Sequence, residues 1–175
     1  MRVLVVVDMQ NDFIDGSLGT KEAVDIVPGV VEQIRKFEGS VIATRDTHGQ
    51  EYLDTAEGKK LPVVHCVKGT EGWQIRKEVS RALTEKGECM IIDKPSFGSV
   101  ELGEHIRELS RTEEIEEITL IGLCTDICVI SNALLIKAYL PESNVRVISS
   151  CCAGVTPGSH EQALEAMKMC QIEIL

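Results

Sequence analysis

Gly122-Leu123-Cys124-Thr125-Asp126-Ile127-Cys128-Val129 lies between the apolar run Ile118-Thr119-Leu120-Ile121 and an apolar helical pattern from Asp126 to about Leu140. That order reads as strand, sharp turn, helix. Thr125 or Asp126 is placed to cap the helix, which sets Cys128 in its first turn. Free backbone N–H groups and the positive end of the helix dipole there favour a thiolate over a thiol. The same N–H groups suit a developing oxyanion. A cysteine on an apolar face is ordinarily an inert packing residue. Its position just past a strand and at a helix start argues instead for a nucleophile.

Working outward, Val3–Val7 is an unbroken valine and leucine run, the pattern of a strand buried on both faces. It ends at Asp8. Pro28 is expected to open a helix carrying Val30, Val31, Ile34 and Phe37 at helical spacing. A short strand, Ser40–Thr44, leads into Arg45-Asp46-Thr47-His48. About twenty residues without strong periodicity follow, and a loop of that length in a compact domain usually serves function. A helix is expected from Trp73 to Leu83, a strand over Glu88–Ile92 ending at Asp93-Lys94-Pro95, and a helix marked by Leu102, Ile106 and Leu109. After the opening motif come a strand at Val145–Ser149, a helix begun by a capping box Ser159-x-x-Gln162, and a sixth strand at Gln171–Leu175. The helix after Cys128 is apolar nearly all round, so it is expected in the centre or in a subunit interface, and a homo-oligomer is expected.

Strand–helix alternation throughout predicts an α/β fold: a doubly wound, mainly parallel six-stranded sheet with helices on both faces, as one domain over 1–175. In such sheets the site lies at the carboxyl ends of the strands. Asp8, Asp46 with His48, Lys94 and Cys128 follow four different strands, and their convergence on one sheet edge outweighs any of them alone.

Composition narrows the function. The net charge of −10 argues against nucleic acid or an anionic membrane as partner. No apolar run approaches the length of a membrane span and no signal-peptide pattern opens the chain, so a cytoplasmic protein is expected. Seven cysteines without framework spacing read as reduced thiols, with Cys151-Cys152 as packing residues.

Asp, Lys and Cys at neighbouring strand ends suit acyl transfer from an amide. The carboxylate takes the thiol proton and later gives it to departing ammonia, while the lysine holds both groups and tunes them. Asp8-Met9-Gln10-Asn11-Asp12-Phe13, Lys94-Pro95-x-Phe97 and Gly122-x-x-Thr125-Asp126-x-Cys128-Val129 resemble, in order and spacing, the isochorismatase-like cysteine hydrolases. The resemblance implies a Rossmann-like three-layer fold and a catalytic triad of Asp8, Lys94 and Cys128. It also implies a cis peptide between Leu123 and Cys124, and an oxyanion hole from the Cys124 and Cys128 N–H groups. Within that superfamily, Arg45-Asp46-Thr47-His48 followed by His65 resembles the metal site of nicotinamidases. This implies one divalent ion, Zn or else Fe or Mn, on Asp46, His48 and His65, with Glu57 as fourth ligand by spacing and Asp54 as second choice. The activity so implied is hydrolysis of nicotinamide to nicotinate and ammonia through a thioester. Phe13 and Phe97, or Trp73, would give the substrate an aromatic wall.

Two departures stand out. Nicotinamidases commonly carry Trp-His-Pro where this chain has Thr47-His48-Gly49, and Cys124 replaces the usual alanine. The chain also reads as short for that group, so a more open pocket is expected. Two other readings compete: a related hydrolase of carbamoyl or ureido compounds, and a non-enzymatic thiol protein using Cys124 and Cys128 as a redox pair. A dinucleotide-binding protein is disfavoured, because no Gly-x-Gly-x-x-Gly follows the first strand.

Overall fold

The computed structural model describes residues 1–175. Six strands, β1 (Arg2–Val7), β2 (Ser40–Asp46), β3 (Met90–Lys94), β4 (Glu117–Leu123), β5 (Asn144–Ala153) and β6 (Glu173–Ile174), form one sheet in the order β3-β2-β1-β4-β5-β6. Every pairing is parallel. Successive strands run outward from β1 to one edge, then from β4 to the other, so the order reverses between β1 and β4. Asp8 and the Cys128 turn leave the sheet at that reversal, where a crevice opens in doubly wound sheets.

The alternate faces of β1 explain its unbroken valine run. Leu4 and Val6 enter one apolar core and Val3, Val5 and Val7 the other, all at most 1% exposed. Helices α1 (Asn11–Ile14), α2 (Lys21–Lys36) and α3 (Lys77–Lys86) belong to the first layer. Helices α4 (Val100–Thr112), α5 (Ile130–Tyr139) and α6 (Pro157–Met169) cover the other. No helix is long and apolar enough to cross a membrane. Gly122 is required where β4 passes β1: its φ is +120°, and a Cβ there would run into the Val7 carbonyl oxygen.

Several boundaries differ from expectation. Pro28 lies inside α2, which starts about two turns earlier, where the Thr20 side chain caps the Ala23 N–H. The buried stripe Ala23, Ile26, Val30 and Ile34 runs straight past the proline, so packing outweighs its cost. The third helix begins at Lys77 rather than Trp73. The segment before it is held to the first motif instead, with Ile75 bridged to Gln10. The third strand runs two residues later than expected, so Lys94 is its last residue. The capping box of α6 is Thr156 with Ser159, followed by Pro157, and not Ser159 with Gln162. β5 extends through Cys151 and Cys152 to Ala153, and both thiols are buried.

Candidate active site

Asp8, Lys94 and Cys128 come together at the strand ends and are nearly sealed from solvent, at 0%, 1% and 4% exposure. Lys94 Nζ lies 2.7 Å from Asp8 Oδ2, 3.4 Å from Cys128 Sγ and 3.3 Å from Asp46 Oδ1, and donates to the Ser96 carbonyl at 3.0 Å. Asp8 Oδ1 accepts from the Thr44 hydroxyl at 2.6 Å. Asp8 has φ +46°, a left-handed backbone uncommon for a residue with a side chain and typical of over-determined functional positions.

The charges set the protonation. Burial pushes Asp8 up, against the pull of the Lys94 ammonium, and the Asp46 charge adds to the rise. Burial alone would pull Lys94 down, but the charges of Asp8, Cys128 and Asp46 outweigh it and keep Lys94 a cation. The Cys128 thiol is raised well above its ordinary value, first by burial and then by the Asp8 charge, with Lys94 acting the other way. The expectation of a resting thiolate is therefore corrected. The helix-start effect is a fraction of a charge, whereas a buried carboxylate beside the sulfur is a whole one.

A second cluster adjoins the first. Asp46, His48, Glu57 and His65 present ligand atoms that all lie within 4.8 Å of one another. His48 Nε2 is 2.8 Å from Asp46 Oδ2 and 3.7 Å from Glu57 Oε1; His65 Nε2 is 3.6 Å and 3.8 Å from the same two oxygens. His65 Nδ1 lies 2.7 Å from the Val63 carbonyl, which accepts only, so the proton sits on Nδ1 and Nε2 faces the cluster. His48 Nε2 is buried and makes no hydrogen bond despite the nearby carboxylate. Two imidazole nitrogens and two carboxylates with converging lone pairs, one left unsatisfied, fit a divalent ion with bonds of about 2.1 Å. Glu57 joins this group and Asp54 does not. Tyr52, 1% exposed, packs its ring tilted against His48 and edge-on against His65, at 4.6 and 4.9 Å between centroids.

Both clusters face a cleft of about 540 Å³, lined by Asp46, Glu57 and His65 on one side and Cys124 and Cys128 on another. Phe13 and Phe97 both line it. Trp73 does not: its indole N–H donates to Thr47 Oγ1 at 2.8 Å and Arg45 stacks on its ring, so it belongs to the core. The Leu123–Cys124 peptide is cis, and the Cys124 N–H donates to no backbone carbonyl.

A family model for the isochorismatase domain matches residues 2–175. The chain belongs to that family. As an isochorismatase-family member it is 27% identical to the nicotinamidase/pyrazinamidase of Mycobacterium tuberculosis, across 100% of this chain and 98% of that protein. It is 28% identical to the Escherichia coli nicotinamidase, across 96% and 90%. Among solved structures, the pyrazinamidase of Pyrococcus horikoshii in complex with zinc superposes with a TM-score of 0.79 at 28% identity, across 99% and 98% of the two chains. The Bacillus subtilis nicotinamidase/pyrazinamidase gives 0.83 at 25%, across 99% and 98%.

In this isochorismatase fold the turn that carries Cys128 is not capped as expected. Residues Thr125–Val129 form one π-helical turn before α5, and no side chain caps it. Thr125 Oγ1 instead meets His160 Nδ1 at 2.8 Å, and the Asp126 carboxylate accepts from the Val155 N–H at 3.1 Å. Thr125 thereby ties the turn to α6, and Asp126 ties it to Val155, which lines the cleft. Burial pushes the Cys124 thiol up to about 12, with the Asp126 charge second, which weakens the reading of Cys124 and Cys128 as a redox pair.

Three positioning residues escaped the sequence reading. Gln10, fully buried, accepts from the Asp46 N–H at 2.7 Å and donates to the Asp46 and Trp73 carbonyls at 2.8 and 2.9 Å. Asn132 donates to the Cys128 and Phe97 carbonyls at 2.8 and 3.1 Å and accepts from the Ser99 N–H at 2.9 Å. Thr44 holds Asp8. The legible signal was a polar residue inside an apolar pattern, most plainly Asn132 in an otherwise apolar stretch.

Proposed function

We propose that this protein is a metal-containing nicotinamidase: it hydrolyses nicotinamide to nicotinate and ammonia, with Asp8, Lys94 and Cys128 as the catalytic triad. The observation that carries the reading is one lysine ammonium reaching Asp8, Cys128 and Asp46, which joins the triad to the histidine–carboxylate cluster. The similarity to nicotinamidases of two bacteria over nearly the whole chain supports it. A ureido hydrolase would leave the buried His48 and His65, which converge with Asp46 and Glu57, without work.

Asp8 takes the Cys128 proton as Sγ bonds to the carboxamide carbon, which pushes the carbonyl π electrons onto oxygen. The Cys124 and Cys128 N–H groups receive that oxyanion. As the carbon–nitrogen bond breaks, Asp8 returns the proton to the leaving nitrogen and ammonia departs, leaving a thioester. Water then attacks, losing its proton to Asp8, and Cys128 leaves as the thiol. Lys94 remains a cation throughout and balances whichever of Asp8 and Cys128 is negative. An ion held by Asp46, His48, Glu57 and His65 would supply a Lewis-acidic partner for the ring nitrogen. Phe13 and Phe97 flank the ring. No nucleic acid or membrane enters this reading, and the reaction belongs with pyridine-nucleotide salvage in the cytoplasm.

Asp8→Asn is expected to lower kcat on the order of 10³-fold, since no group remains to shuttle the proton. It also removes a negative charge beside the sulfur, so the Cys128 pKa falls and iodoacetamide should alkylate Cys128 faster than in the unaltered enzyme. Turnover retained in Asp8→Asn would mean that Asp8 is not the group that carries the proton.

Metal analysis of protein purified without chelator is expected to find close to one Zn, Fe or Mn per chain, and His48→Ala should lose most of it. Occupancy should fall on acidification. Burial pulls the His65 pKa down, but Asp46, the Val63 carbonyl and Glu57 together raise it above the ordinary value. Protons therefore compete for Nε2 from a higher pH than at a free histidine, and metal loss in a pH titration should begin there. Metal-free protein with full activity would remove the cluster from the reaction.

A further inference from the structure

The cleft is graded from a buried polar floor to an exposed apolar mouth. At the floor Cys128, Asp46 and His65 are 4%, 3% and 3% exposed, whereas at the mouth Phe97, Val155 and Leu61 are 44%, 53% and 38% exposed. Leu18, Ala23 and Ile127 continue the apolar wall between them, so that 11 of the 17 lining residues are hydrophobic. The volume of about 540 Å³ is large for nicotinamide, which has nine heavy atoms. At roughly 30 Å³ per water, it corresponds to on the order of eighteen waters. Grooves of this size bury ligands larger than a single ring. An exposed apolar surface continuous with a reactive floor marks a binding surface.

We propose that the substrate is a pyridine-3-carboxamide carrying an apolar substituent of about four carbons at ring position 5, seated against Leu18, Ala23, Leu61, Phe97, Ile127 and Val155. This rests on the nicotinamidase reading, in which the carboxamide meets Cys128 and the ring nitrogen meets the Asp46–His65 cluster. Both of those groups are held at the floor. On a six-membered ring, positions 1, 3 and 5 diverge equally, so with 1 and 3 directed at the floor, position 5 points away from both. The mouth is the open direction. Its wall offers apolar contact and, at Lys60, an aliphatic stem along the rim. Thr47 contributes no bulk here, because its hydroxyl faces the indole of Trp73.

The test compares nicotinamide with its 5-methyl, 5-ethyl, 5-propyl and 5-butyl derivatives in the metal-loaded enzyme. Each methylene moved from water to an apolar wall gives about a threefold gain when burial is incomplete. The ratio of kcat/KM for 5-butylnicotinamide to nicotinamide should therefore reach on the order of 100. Binding of the products, 5-butylnicotinate against nicotinate, measured by calorimetry, should show the same trend without turnover. Val155→Trp and Leu61→Trp fill the mouth from exposed positions and should each lower both ratios at least tenfold. A butyl derivative no better than nicotinamide in rate and in product binding overturns the proposal while leaving the nicotinamidase reading standing. If none of the amides is hydrolysed, the nicotinamidase reading fails, and the binding ratio still decides whether the mouth holds an alkyl group.

Discussion

Cys128→Ala is expected to abolish nicotinamide hydrolysis, lowering kcat on the order of 10⁵-fold while the protein remains folded. Loss of a nucleophile that acts as one unit with its base costs nearly all the covalent catalysis, and what survives is binding and oxyanion stabilisation. The fold should persist because the side chain is one atom smaller and is a minor member of its core cluster. The turn around it is held by Asn132 on the Cys128 carbonyl and by Asp126 on Val155, and neither contact uses the sulfur. Circular dichroism and metal content should match the unaltered protein. Mass spectrometry of the unaltered enzyme quenched during turnover should show a nicotinoyl adduct on Cys128, and the variant should show none. A Cys128→Ala protein with ordinary turnover would falsify the thioester route.

Benzamide is expected to be hydrolysed at near background, with kcat/KM on the order of 10⁴-fold below nicotinamide. The two amides share ring shape and reacting group and differ by one ring nitrogen. That nitrogen is what the cluster of Asp46, His48, Glu57 and His65 would recognise. A C–H in its place presents no lone pair to a site built of desolvated polar groups, and such sites reject the lacking analogue far more strongly than a pocket rejects one methylene. Pyrazinamide keeps the nitrogen meta to the amide at lower basicity and should fall between them. Comparable rates for benzamide and nicotinamide would move the assignment to the ureido or carbamoyl hydrolases, which need no ring-nitrogen contact.

The sequence by itself determined the architecture and nominated the residues proposed for the site. Continuous apolar runs alternating with helical spacing leave a parallel sheet as the way to bury strands on both faces, and the sheet found has all its pairings parallel. Asp8, Lys94 and Cys128 were legible because each is a reactive residue at the end of an apolar strand pattern, where a doubly wound sheet collects its chemistry. Asp46, His48 and His65 came from the resemblance to the nicotinamidase metal site, and within it Glu57 was preferred to Asp54 by spacing; their ligand atoms, with that of Glu57, lie together.

Tertiary structure decided what long-range contact controls. The core stripe carries α2 past Pro28, which local propensity reads as a helix start, although the Thr20 cap that begins the helix is itself a local signal. Trp73 reads as a pocket wall in one dimension, yet Thr47 and Arg45 draw it into the core. The protonation of Cys128 depends on its distance from solvent and from the Asp8 charge. Local sequence gave the helix-start effect, which points the other way and is smaller. Gln10, Thr44 and Asn132 take their meaning from the atoms they reach, Asp46, Asp8 and the Cys128 carbonyl, which lie 36, 36 and 4 residues away along the chain. The two 36-residue bonds are set by β1 lying beside β2, whereas Asn132 meets the Cys128 carbonyl within one helical turn. Periodicity fixes which residues face inward, and the fold fixes which of them meet.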